Sequence, residues 1–138
     1  MNSTFVGQYS KGKRQGIGHE IYEDGSGYHG NFTDDKIKGR GRIVSSNGDY
    51  YHGDFDQGLP HGLGVYHNLS SNLKYEGNFD HGVMKGIGTE TRQDGTIYVG
   101  NFINNLWEGK GSVKYSDGSS YEGEFMKGLK EGHGTLTQ

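Results

Sequence analysis

Seven histidines, seventeen carboxylates and no cysteine are the groups in this chain that could hold a metal or move a proton. Zinc needs three or four ligands about 2 Å from one ion. His29 and His52 follow the tyrosines of adjacent repeated segments, which sets them about 10 Å apart across two strand spacings. The histidines therefore read as separate, and no metal is expected. Asp54, Asp56 and Gly58 resemble the opening of a calcium loop, but Val65 stands where such a loop needs its closing carboxylate. Gly25-Ser26-Gly27-Tyr28-His29-Gly30 satisfies the dinucleotide pattern G-x-G-x-x-G. That pattern works only between a strand and a helix N-terminus, and here it joins a turn to a strand. Serine, histidine and aspartate are plentiful, yet a triad needs a cleft to hold nucleophile, base and orienting acid together. No catalytic residue and no cofactor are expected.

What remains is recognition chemistry, carried by aromatic rings at a fixed period. Tyr28, Tyr51, Tyr75, Tyr98 and Tyr121 recur every 23 or 24 residues, each opening a Tyr-x-Gly-x-Phe unit, and Phe5-Val6-Gly7-Gln8-Tyr9 is an inverted copy. A period of this length on 138 residues implies a linear stack of small units rather than a globule around one core. The units run over about 5–27, 28–50, 51–74, 75–97, 98–120 and 121–138, forming a single array.

Each unit reads as two strands. Asp24-Gly25, Asn47-Gly48, Asp94-Gly95 and Asp117-Gly118 separate polar, alternating runs, the strongest local signal for a hairpin with a type I′ turn. The turn after each Phe carries Gly12, Gly58, Gly82 and Gly128, with Asp35 and Asn105 in the same slot of two copies. Asp and Asn tolerate the left-handed region best among residues with a side chain, so a positive φ is expected there. In the third unit Asn68-Leu69-Ser70-Ser71-Asn72 replaces the Asp-Gly turn, and a longer loop is expected. The fold class is all-β: one twisted antiparallel sheet of stacked hairpins.

Strand alternation places Tyr28, Gly30 and Phe32 on one face, and Gly62, Gly64 and Tyr66 likewise. An aromatic ring can then lie over glycine backbone of the neighbouring strand, which accounts for glycine in mid-strand. The rings Tyr28, Phe32, Tyr51, Phe55, Tyr66, Tyr75, Phe79, Tyr98, Phe102, Tyr121 and Phe125 form a candidate protein-binding groove. With no second layer to cover them, part of each ring is expected to stay accessible, and exposed aromatic surface marks partner sites. A second apolar stripe, Ile37, Pro60, Met84, Leu106 and Trp107, falls just after the turns and is a candidate separate contact edge. Unpaired strands at the array ends invite self-association.

Charge narrows the partner classes. The net charge of −3 and the lack of a long basic run argue against nucleic acid. Lys11, Lys13, Arg14, Lys36, Lys38, Arg40 and Arg42 are half of the basic residues. They make an anionic membrane an alternative partner. Absence of cysteine and of an apolar stretch after Met1 points to the cytoplasm.

The segments Tyr51-His52-Gly53-Asp54-Phe55 to Gly62-Leu63-Gly64 and Tyr75-Glu76-Gly77-Asn78-Phe79 to Gly86-Ile87-Gly88 resemble MORN repeats, six times over residues 5–138. Departures are the Phe5/Tyr9 inversion, Asp35 and Asn105 for glycine, and Phe where that family often has Trp. The resemblance implies an elongated sheet whose aromatic groove takes a helix or an extended segment of a cytoskeletal protein. It further implies a non-enzymatic scaffold in a cilium, flagellum (axoneme) or other cytoskeletal assembly. Alternatives are a peripheral adaptor on anionic phospholipid and an accessory subunit of an enzyme.

Overall fold

The computed structural model describes residues 2–138. Twelve strands follow one another: β1 (Ser3–Ser10), β2 (Lys13–Tyr22), β3 (Gly27–Thr33), β4 (Lys36–Val44), β5 (Tyr50–Asp56), β6 (Leu59–Asn68), β7 (Leu73–Asp80), β8 (Val83–Thr91), β9 (Ile97–Ile103), β10 (Leu106–Lys114), β11 (Ser120–Met126) and β12 (Leu129–Thr137). They pair in that order into one open antiparallel sheet, and no helix occurs among the described residues. The all-β hairpin stack expected from the period is what forms.

The two kinds of turn exchange the roles that the sequence suggests. After each Phe, two consecutive residues have positive φ: Lys11 (53°) and Gly12 (79°), Asp34 (49°) and Asp35 (72°), Asn104 (51°) and Asn105 (71°). Two left-handed residues in succession define type I′, so the tight hairpins sit here, and the expected positive φ at Asp35 and Asn105 is present. At Asp24-Gly25 only Gly25 is left-handed (92°). The Tyr22 amide donates to Ser26 O at 2.9 Å and the Gly25 amide to Tyr22 O at 3.0 Å, closing a four-residue loop. Asp24 Oδ1 accepts from the Ser26 amide at 2.9 Å. The Asp-Gly pairs are thus wider loops fixed by an aspartate side chain, and the type I′ assignment there is corrected. The longer loop expected in the third unit does not form: Leu69 to Asn72 is four residues, no longer than its equivalents, because β6 and β7 extend to pair Asn68 with Leu73, and Asn68 Oδ1 accepts from the Ser71 amide at 3.0 Å.

Within each unit the register slips between the central glycine pair and the Phe. In β3–β4, Gly30 faces Gly41 but Phe32 faces Ile37, so three residues of β4 oppose one of β3. Gly39, at φ 92°, forms the bulge. Its consequence is to set Ile37, rather than Gly39, opposite Phe32. Amides of the next turn then reach back across units: Gly58 to Ile37 O (3.0 Å), Gly82 to Pro60 O (2.8 Å), Gly128 to Trp107 O (2.9 Å). Each unit is tied to its neighbour by backbone as well as by rings.

Candidate functional site

Tyr28 turns along its own strand, and its hydroxyl donates to Asn31 O at 2.9 Å. Tyr51, Tyr75 and Tyr98 do the same to Asp54 O (2.6 Å), Asn78 O (2.7 Å) and Asn101 O (2.8 Å). This lays each ring flat over the glycine opposite: Tyr28 over Gly41, Tyr51 over Gly64, Tyr75 over Gly88. Phe rings then stand edge-on between successive tyrosines. Tyr28 contacts Phe32 (5.3 Å) and Phe55 (5.2 Å), Tyr51 contacts Phe55 and Phe79 (5.0 Å each), and Tyr75 contacts Phe79 (5.1 Å) and Phe102 (4.9 Å), all near perpendicular. The zipper continues through Tyr98 and Phe125 to Tyr121 and begins at Phe5 on Phe32.

The result corrects the expectation of accessible rings. Tyr28, Phe32, Tyr75, Tyr98 and Phe102 have no exposed surface, and Tyr51, Phe55, Phe79, Tyr121 and Phe125 keep 3–7 %. Rings one unit apart cover each other within a single layer, so no second sheet is needed to bury them. Of the eleven groove residues only Tyr66 is partly exposed. Burial pushes the hydroxyls of Tyr28, Tyr51, Tyr75 and Tyr98 up to about 12.

The surface that a partner can touch belongs to the even strands. One slot faces each Phe or its equivalent: Arg14, Ile37, Pro60, Met84, Trp107 and Lys130. A second slot, six residues on, stands opposite the aromatic that opens each unit: Glu20, Ile43, Tyr66, Glu90, Val113 and Leu136. The apolar stripe Ile37, Pro60, Met84 and Trp107 is therefore not a separate edge. It shares the ring-bearing face, packed on the aromatic zipper. Leu106 has the opposite parity and is 45 % exposed.

These slots divide the face by character. In the first unit Arg14 pairs with Glu20 (2.9 Å) and Asp35 (2.7 Å) and lies over the Phe5 and Phe32 rings. Burial opposes its charge, but the bonds to Asp35 and Glu20 outweigh that and hold its pKa above the ordinary value. Ser3 and Tyr22 also donate to Glu20. In the fourth unit Glu90, 4 % exposed, accepts from Arg92 Nε (2.9 Å) and Trp107 Nε1 (3.1 Å). Arg92 covers the indole, which stacks on Tyr98 at 4.4 Å. Between these charged clusters, Ile43, Pro60, Tyr66 and Met84 line a half-open cleft of about 480 Å³ with Ser45 and Asp49 at its rim.

Glu90→Leu is expected to cost about 2 kcal/mol, because the Trp107 N–H is left buried without an acceptor. Arg92→Ala, which removes a half-exposed partner, costs less than about 1 kcal/mol. Urea denaturation of both variants measures the difference. Equal losses would mean that the indole N–H is not the reason for Glu90.

The sequence of slots and the buried zipper fit a repeat family. Comparison with known families matches the MORN repeat at residues 5–27, 28–50, 51–68, 75–97, 98–120 and 121–138. The chain belongs to the MORN repeat family. The search of curated proteins found no match. MORN repeats generally serve as non-catalytic adaptors that bind protein or membrane lipid. In this MORN array the Tyr-x-Gly-x-Phe signature builds the scaffold, while the slots that vary from unit to unit lie on top of it, half-buried at Ile37, Ile43, Pro60, Tyr66 and Met84 and buried at Glu20, Glu90, Trp107 and Val113. Sequence reasoning found Tyr66 but missed Ile43, Glu20 and Glu90. The parity that selected Tyr66 after Gly62 and Gly64 selects them too.

The histidines are also rearranged. His61 and His81 lie in successive units but meet at one turn, ring centroids 4.2 Å apart, so the spacing of His29 and His52 does not hold for all seven.

Proposed function

We propose that the protein is a non-enzymatic scaffold that grips an apolar segment of a partner protein, as a helix or an extended chain, in the cleft between β4 and β8. The observation that carries this reading is the run of Ile43, Pro60, Tyr66 and Met84 between the Arg14–Glu20 and Glu90–Arg92 ion pairs. An apolar floor with charged ends favours a segment with apolar residues in its middle and charges outside them. The setting, a cytoplasmic cytoskeletal assembly of the ciliary or flagellar kind, follows the family resemblance. Anionic lipid is the weaker reading: Arg14 is engaged by Asp35 and Glu20, and Lys38 lies 3.8 Å from Asp56. Association through the unpaired edges of β1 and β12 is a further proposal, checked by concentration-dependent sedimentation.

A photo-crosslinking residue at position 66, against one at Leu63 on the opposite face, tests the cleft in cells. The expected result is a cytoskeletal partner captured at 66 and not at 63. Tyr66→Arg then weakens binding of that partner at least about 10-fold, equivalent to about 1.4 kcal/mol, with thermal stability nearly unchanged. Equal capture at both positions, or flotation with anionic vesicles that Tyr66→Arg leaves intact, would sink the proposal.

A further inference from the structure

One turn of the array differs in chemistry from its five equivalents. The residue that ends the first strand of each unit is Ser10, Thr33, Asp56, Asp80, Ile103 or Met126, and the first turn residue is Lys11, Asp34, Gln57, His81, Asn104 or Lys127. The residue after the Phe-facing slot is Gln15, Lys38, His61, Lys85, Glu108 or Glu131. Only where the third and fourth units meet do these positions bring two histidines and two aspartates together.

The ordinary role of the His61 position is to cap the turn of the next unit. Gln15 Oε1 accepts from the Asp34 amide at 2.9 Å and Glu108 Oε2 from the Lys127 amide at 2.9 Å. His61 Nδ1 occupies the same place, but at 3.3 Å from the His81 amide. What capping does not explain is the convergence of donors. Asp80 Oδ1 is 2.8 Å from His81 Nδ1 and 3.6 Å from His61 Nδ1. One donor atom from each of the three residues lies within 4.8 Å of the others.

For His81 and Asp80 the atoms outside the cluster have partners of the kind that metal ligands usually have, while His61 would exchange its bond from the His81 amide for the ion. His81 Nδ1 donates to Asp80 Oδ1 at 2.8 Å, a proton that a metal ion would displace, and Asp56 Oδ2, 3.4 Å from His81 Nε2, is placed to take the ring N–H when it does. Asp80 Oδ2 is 3.6 Å from Lys85 Nζ, which leaves Oδ1 for the cluster. All three residues are partly or fully open to solvent, so an ion can enter. Bound donors around a tetrahedral zinc ion are separated by about 3.3 Å at ligand distances near 2 Å. The observed spacings bracket that value, and small ring rotations close the set.

We propose that His61, Asp80 and His81 form a site for a divalent transition metal ion of the zinc class. Two imidazoles and a carboxylate suit zinc, with Asp56 orienting His81 and a fourth position open to water or to a group from a partner. The ion would join two successive units at their turn.

The test uses substitutions for which the chain supplies its own precedent. His81→Gln puts at position 81 the residue found at Gln57, whose φ is 52°, and His61→Gln reproduces the Gln15 cap. Zinc is titrated into the full chain by calorimetry, with cobalt as a spectroscopic probe and melting followed in parallel. Expected are one ion per chain, a higher melting temperature with zinc, and at least a 10-fold loss of affinity in either variant. Asp56→Asn is expected to lose about 10-fold through the His81 ring. His19→Gln/His29→Gln, which removes the other close imidazole pair (5.5 Å), leaves binding unchanged. No saturable binding, or binding that survives in folded His61→Gln and His81→Gln chains, would overturn the proposal.

Discussion

Gly88→Ala is expected to destabilise the protein by roughly 3 kcal/mol or more, a large effect for a methyl group. The Cβ of an alanine would sit 2.6 Å from Tyr75 Cζ and closer still to Cε1 and the hydroxyl. Tyr75 cannot yield, because Phe79 and Phe102 hold its edges and Asn78 O holds its hydroxyl. Overpacking a filled site costs about 1–3 kcal/mol, with larger values where neighbours cannot relax. Gly86→Ala supplies the contrast. There the added atom has room, with Asn78 Cβ at 3.6 Å, but φ is 91°. Its cost is the left-handed penalty alone, about 1–2 kcal/mol. Tyr75→Ala by itself loses roughly 3–5 kcal/mol. Because Gly88→Ala harms by striking the Tyr75 ring, the double variant should be more stable than the sum of the two losses predicts, by about 2 kcal/mol. Chemical denaturation of the four proteins measures the coupling. Strict additivity would show that the ring does not dictate the glycine.

The same ring geometry marks where sequence reading stops. Period, strand parity and the glycine slots were legible because each depends on one residue type at a fixed offset. Asp35 and Asn105 even revealed a left-handed position by standing in for glycine. The turn type at Asp24-Gly25 was not legible. The Asp-Gly pair suits both a type I′ turn and a wider loop, and the choice is made by the Asp24 side chain bonding to Ser26. Nor could the exposure of Tyr28 or Tyr98 be read, since it depends on a ring one unit away. Phe55 and Phe125 supply that cover. Ile37 and Trp107 looked like turn-tip residues because the bulge at Gly39 and its equivalents, which sets them opposite Phe32 and Phe102, has no separate signature in a chain so rich in glycine.

This division has a consequence for where change is tolerated. The signature residues bury one another and cannot vary without unfolding the array, so charge substitution at Tyr75 or Tyr98 would report on stability and not on binding. The slots at 37, 60 and 84, and at 43 and 66, rest on that layer with one side free. Glu20, Glu90, Trp107 and Val113 cross the boundary as slots that have become buried, Glu90 and Trp107 with a hydrogen bond between them.

Raising the pH is expected to unfold the protein in one cooperative step between pH 10 and 12. Burial raises the hydroxyls of Tyr28, Tyr51, Tyr75 and Tyr98 to about 12, against 10 for a free tyrosine, and the bond that each donates to a carbonyl favours the same protonated form. Between those values the folded chain keeps protons that the unfolded chain has released. The unfolded state then binds fewer protons, and stability falls as pH rises. The contribution is fully present below pH 10 and is lost as pH passes toward 12. Each such tyrosine steepens the fall by about 1.4 kcal/mol per pH unit, and four in one zipper act together. The phenolate absorbance of these residues should therefore appear in step with the loss of the β circular-dichroism signal. Tyr75→Phe separates the two effects of the hydroxyl. At neutral pH it costs about 1 kcal/mol through the lost bond to Asn78 O, while the alkaline fall becomes shallower because one group fewer titrates. A smooth phenolate titration centred near pH 10 with the sheet intact would mean that the rings are reached by solvent, and the buried zipper would have to be abandoned.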